Sequence, residues 1–249
     1  MPTAVAKPAA KKAIEDALKA KVAQLDARND LTTEEKEAAK ADAQARATAA
    51  KNNIDTATTN STVDNAKTTG VADVESVNPQ ASQKKTDAKN AVDEALKAKE
   101  AEIDANNDLT AEEKSKAKED AKSKADVAKQ AIDNATTNDA VTQAKNAGAI
   151  SVDSVTPTPV AKPAAKQAID DALKAKNDAI DANNDLTDEE KAKAKEDAKA
   201  KADAAKQAID NATTNDAVEQ AKNDGATSIS SVTPTPTAKP AAKQAIDDA

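Results

Sequence analysis

The chain repeats itself, and that limits its fold more than any other feature. Asn29-Asp30-Leu31-Thr32 returns as Asn107-Asp108-Leu109-Thr110 and as Asn184-Asp185-Leu186-Thr187, at offsets of 78 and 77 residues. Gly70, Gly148 and Gly225 keep the same spacing, as do Ile14, Val92, Ile169 and Ile246. Residues 106–172 agree with 183–249 at 57 of 67 positions. Each period must therefore form one small supersecondary unit of a tandem array. The period divides the chain into repeat one over 1–79, repeat two over 80–157, repeat three over 158–236 and the start of a fourth over 237–249. Met1-Pro-Thr-Ala-Val aligns with Thr156-Pro-Thr-Pro-Val, and residue 249 falls within a leg. The expectation is a piece of a longer array, with any export signal or anchor outside it.

The residues available restrict the unit further. The chain has 63 Ala but only seven Leu, ten Ile and fourteen Val, and no Phe, Tyr, Trp, Cys or His. These large aliphatics are about 12% of the chain, where a folded globule carries roughly 20%. Disorder is the alternative to overcome, and helical periodicity argues against it. Catalysis by His or Cys, disulfides and Cys/His zinc sites are excluded by composition. So are base-stacking platforms and aromatic binding anchors. The net charge of −8 comes from 36 basic and 44 acidic residues of interspersed sign. That argues against nucleic acid and against anionic membrane surfaces. No stretch approaches the length of apolar residues needed to span a bilayer.

Within a repeat the pattern predicts three legs, described for repeat three. Leg one follows Lys162-Pro163 and carries the stripe Ile169, Leu173, Ile180, with the stem of Lys176 between them. Asn183-Asn184-Asp185 ends it, because these residues favour turns. Leg two opens with Thr187-Asp-Glu-Glu190, a capping box repeated at Thr110…Glu113 and Thr32…Glu35. Its face is Ala194, Ala198, Ala202, Ala205, Ile209 and Ala212, small enough to allow close helix approach. Leg three is read as a short helix of about nine residues. Asn215 or Asp216 caps it, and it runs through Val218 and Ala221 to Gly225 as the residue past its end. Ala226–Val232 is read as extended, followed by the non-helical Thr233-Pro-Thr-Pro. The expected fold is all-α: tandem three-helix-type bundles of two long Ala-rich helices, a short third helix and an extended segment. The stiff connectors are expected to hold the bundles apart in an elongated rod.

No catalytic, cofactor or metal residue is predicted. Asp181-Ala-Asn183-Asn-Asp185 begins like a calcium loop, which needs Gly at position six and Glu at position twelve. Leu186 and Ala192 stand there instead. The adjacent carboxylates Glu189-Glu190 and Asp170-Asp171 do not face each other on a helix. Thr136-Thr137 reads as the link between legs two and three, in preference to a tip that is glycosylated or contacts a partner.

The recurring Asp-Leu-Thr-x-Glu-Glu-Lys, the Ala-rich helix, Ile-Asp-x-Ala-x-Thr and Ala-Lys-x-x-Gly together resemble a known family. It comprises helical domain-of-unknown-function repeats of about 75 residues in Gram-positive, including staphylococcal, cell-wall surface proteins. The resemblance covers residues 7–236 and implies an exported, wall-attached, non-catalytic protein associated with adhesion. The expected role is a structural stalk that projects a binding domain from the cell wall. The alternative is a multivalent adhesive array that binds a host matrix or neighbouring-cell ligand. The expected partners are the neighbouring repeats of the same chain, in a monomer without cofactors, nucleic acid or membrane insertion.

Overall fold

A computed structural model describes residues 6–247; the Met1 to Val5 alignment made above lies outside the described residues. Each repeat forms three helices. Repeat one has α1 (Ala6–Asp26), α2 (Thr33–Thr56) and α3 (Asn60–Glu75). Repeat two has α4 (Gln83–Ala105), α5 (Ala111–Asn134) and α6 (Asn138–Asp153), and repeat three has α7 (Ala161–Ala182), α8 (Asp188–Asn211) and α9 (Asn215–Ser230). A further helix, α10 (Ala238–Asp247), follows the third repeat, and no strand occurs among the described residues. The chain falls into two compact units. One is Met1–Lys97 with Lys122–Asp153, and the other is Ala98–Ala121 with Ser154–Ala249.

The predicted stripes form the cores. In the first unit Ala10 and Ile14 of α1 meet Ala47, Ala50 and Ile54 of α2 and Val63 and Val74 of α3. In the second unit Ala165 and Ile169 of α7 meet Ala202, Ala205 and Ile209 of α8 and Val218 and Ile229 of α9. Leg two buries almost nothing but Ala until Ile54 or Ile209, each 0% exposed. Its N-terminal box forms as read: Glu190 N–H donates to Thr187 Oγ1 at 3.2 Å, and Thr187 N–H donates to Glu190 Oε2 at 2.9 Å.

Leg three differs from the sequence reading. It is a 16-residue helix that passes straight through the glycine, and Ala226–Ser230 is helical, not extended. No glycine has a positive φ. The glycine is there for close approach instead. A Cβ on Gly225 would collide with the Ala205 methyl and lie 2.9 Å from Ile169 Cδ1. Gly70 faces Ala50 and Ile14 in the same way. Ile229, four residues after Gly225, continues the buried face. The i, i+4 spacing of Gly225 and Ile229 puts both on one helix face, which is why the extended reading does not hold over 226–230. The cap also shifts by a residue: Thr214, not Asn215 or Asp216, accepts the Ala217 N–H at 3.2 Å. The non-helical stretch lies further on, at 232–237, and Val232 there packs with Ile180, Leu186, Ala194 and Ala198.

Two stability tests follow from this packing. Ile209→Ala removes the largest side chain of the leg-two face and is expected to cost about 2–4 kcal/mol, read from urea unfolding; an unchanged midpoint would place the core elsewhere. Gly225→Ala adds only a methyl, yet is expected to destabilise by about 1–3 kcal/mol through overpacking. A stabilised variant, as expected of a solvent-facing helical glycine, would contradict the close approach.

Candidate functional site at the joints between repeats

The first turns of leg two carry the chemistry that the capping box predicts, and then exceed it. A helix N-terminus leaves backbone donors without intrahelical acceptors and favours negative charge. In the second unit Glu113 Oε2 accepts the Thr110 N–H of its own cap at 3.0 Å. Its other oxygen accepts the Val160 and Ala161 N–H groups, at 2.9 and 3.0 Å, where α7 of the next repeat begins. One carboxylate thus caps two helices. Glu112 points elsewhere and accepts the Asn215 N–H of α9 at 2.9 Å. The two acids therefore serve three helix starts, two of them in the next repeat. Their divergence is what i, i+1 spacing dictates.

The rest of the joint is backbone and lysine. Ala111 N–H donates to Thr213 O at 2.7 Å, and Thr110 Oγ1 to Asn215 Oδ1 at 2.7 Å. Lys162, only 4% exposed, donates to Asn107 O of repeat two and to Asp210 O of repeat three, both at 2.7 Å. The first unit repeats the design. Lys85, 5% exposed, reaches Asn29 O and Asp133 O at 3.2 and 2.8 Å. Glu34 accepts the Asn138 N–H, Thr33 N–H donates to Thr136 O, and Ser82 Oγ donates to Glu35 Oε1. The caps Thr32 and Thr110 are fully buried under the following repeat, while Thr187, which α10 follows among the described residues, is half-buried. Bundles expected to be held apart by stiff connectors are in direct contact within each unit.

Electrostatics agree with these roles. Hydrogen bonds from Thr187, Thr237 and Ala238 bring the Glu190 carboxyl from its ordinary 4.5 down to about 2. The Asn215 N–H lowers Glu112. Burial works to raise Glu113, but donation from Thr110, Ala161 and Val160 outweighs it and holds the group below the usual range. Glu34 is lowered by its own backbone N–H and by that of Asn138.

The calcium-like stretch is used locally. Asn183 Oδ1 accepts the Asp185 N–H at 3.0 Å and Asp181 pairs with Lys195 at 2.5 Å. Asp170 pairs with Lys206 of leg two, and Asp171 accepts from Gln167. No cluster of residues able to hold a metal ion occurs among the described residues. Thr136, read as part of a link, and Thr213 are joint acceptors. Sequence reasoning missed these cross-repeat roles; the one available signal was the recurrence of Glu-Glu and Thr-Thr in fixed register.

The model of the family described as Domain of Unknown Function (DUF1542) matches three times, over residues 6–82, 84–160 and 161–237. The chain belongs to the DUF1542 family. Among curated relatives, the extracellular matrix-binding protein EbhA of Staphylococcus aureus (strain Newman) is 34% identical over 243 residues, covering 97% of this chain and 7% of the relative. The extracellular matrix-binding protein ebh of Staphylococcus aureus (strain NCTC 8325 / PS 47) is equally similar, with 2% of its length covered. The chain thus spans a small fraction of these relatives. No solved structure is a significant match. No described helix of this DUF1542 chain is long and apolar enough to cross a membrane.

These carboxyls have depressed folded-state pKa values, so their contribution to the DUF1542 joints is full above the unfolded Glu value of about 4.3. It is lost as pH falls toward the folded value. Melting temperature is expected to stay level from neutral pH to about 5 and to fall between about 4.5 and 2. Glu190→Gln should flatten the lower part of that fall. An acid limb of equal steepness in the variant would remove Glu190 from the account.

Proposed function

We propose that this chain is a structural stalk: spacer repeats of a bacterial cell-surface adhesin, attached to the wall outside the cell, that hold a binding domain at a distance. The observation that carries the reading is the joint. In each unit it seats the lower end of one repeat on the upper end of the preceding one, through the same lysine, carboxylate and backbone groups. A module so joined is suited to addition in series. The near-identity of residues 106–172 and 183–249 fits an element whose value is length, as does the size of the relatives. Helices of 22 to 24 residues make each repeat roughly 35 Å tall at 1.5 Å per residue.

Three repeats in line should span on the order of 110–150 Å, against about 35–45 Å for a compact globule of this mass. Small-angle scattering measures this directly: a maximum dimension of about 60 Å would remove the stalk reading.

A second reading, a multivalent adhesive array, draws on one observation besides the relatives' names. Each connector arches over leg two and leaves a cleft at the same place in every repeat. The clefts measure 530 Å³ by Pro79, 440 Å³ by Pro157 and 390 Å³ by Pro234. Weak sites repeated in this way gain by avidity. Immobilised matrix protein should then retain the three-repeat chain far more strongly than a chain with all three clefts filled by larger side chains; equal retention would leave the stalk alone.

A further inference from the structure

We propose that the ammonium of the lysine at the start of each repeat, and not the proline-rich connector, locks one repeat onto the next. Lys85 does so in the first joint and Lys162 in the second, each holding carbonyls of two different repeats on one charge. This deepens the stalk reading by naming what makes the stalk stiff.

The position of the lysine is unusual. It lies in the first turn of leg one, where the helix dipole opposes a cation, and it is nearly out of contact with solvent. Such a charge is tolerated only where strong acceptors replace water. Asp133 and Asp210 supply them, one residue before the ends of α5 and α8, where carbonyls lack intrahelical partners and the dipole is negative. Asn29 and Asn107 supply the second acceptor from the turn after leg one of the preceding repeat. Opening the joint would strip one of these bonds from a buried charge, so the two repeats separate only at the cost of rehydrating it.

The single-sided lysines show the two halves of the device. Lys7, with no described repeat before it, is half-buried and among the described residues reaches Asp55 O alone, at 2.8 Å. Lys239, on α10, is exposed and among the described residues reaches Asn184 O alone, at 2.6 Å. The connectors, by contrast, differ. The first has one proline, Pro79, where the second has Pro157 and Pro159, and Ser82 takes the capping place that Val160 and Ala161 fill in the second. The lysine bonds are the same in both.

Hydrogen exchange of the whole chain can test this. The amides of Ala111 and Asn215 lie in the first turns of α5 and α9, where no intrahelical acceptor exists, and they donate across the joint. Their protection therefore reports joint closure, while Ala198 and Ala202 report the bundle interior. Lys162→Met keeps the apolar stem and removes the charge. It should lower protection of Ala111 and Asn215 about tenfold or more while leaving Ala198 and Ala202 unchanged. Pro157→Ala with Pro159→Ala should leave all four unchanged. Lys85→Met should act likewise on Thr33 and Asn138 in the first joint. Unaltered protection at Ala111 and Asn215 in Lys162→Met would overturn the proposal. So would equal losses at Ala198 and Ala202, which would make the lysine a support of the bundle, or an equal loosening by the proline variant. Local protection is independent of overall length, so the outcome is separate from that of the scattering test.

Discussion

Everything in this molecule depends on how closely its helices approach. A chain without aromatics and with few large aliphatics has little apolar area to bury, and the attraction between helices falls away steeply once atoms separate. The remedy is to shrink the contacting side chains until backbones nearly touch. Leg two presents Ala at almost every core position, and leg three presents a glycine where it crosses leg two. The few Ile, Leu and Val then fill the spaces that remain, and eight of the largest are essentially sealed from solvent. Such a core is thin, so a single truncation at Ile54 or Ile209 removes much of what holds three helices together.

A thin bundle has a second difficulty at its ends. Three helices leave many unpaired donors and acceptors, and there is too little apolar surface to cover them. The joints meet this need with groups that each serve twice. A cap glutamate uses one oxygen for its own helix and the other for the next repeat, and a lysine bridges carbonyls of two repeats. The buried apolar clusters lie within single repeats, whereas the joints are crossed by hydrogen bonds, which are directional in a way that apolar contact is not.

Much of the bundle was legible in the sequence. The stripe Ile169, Leu173, Ile180, the Ala face ending at Ile209 and the Thr187–Glu190 box follow from spacing and capping rules that act within a few residues, and the structure has them as read. Leg three was legible in part. Glycine past a helix end and glycine inside a close crossing look alike in one dimension; only the partner, Ala205, tells them apart. The β-branched Thr227 and Ile229 raise extended propensity locally, and tertiary contact overrides it. The joint was least legible, since Glu112 and Asn215 stand 103 residues apart, and nothing local announces their meeting.

The choice of acceptors explains how such a joint tolerates divergent repeats. Lysine binds carbonyl oxygens, Thr33 and Ala111 donate through backbone to the carbonyls of Thr136 and Thr213, and the glutamates receive backbone N–H groups. Backbone groups persist whatever side chain is attached. The first connector can therefore exchange its capping residues and gain a residue without disturbing the bonds that matter. What each repeat must keep is one lysine, two acidic residues and the Thr before them, at fixed places on helices whose lengths match. An array can then drift in sequence over most of its surface while every repeat still seats on the one before it.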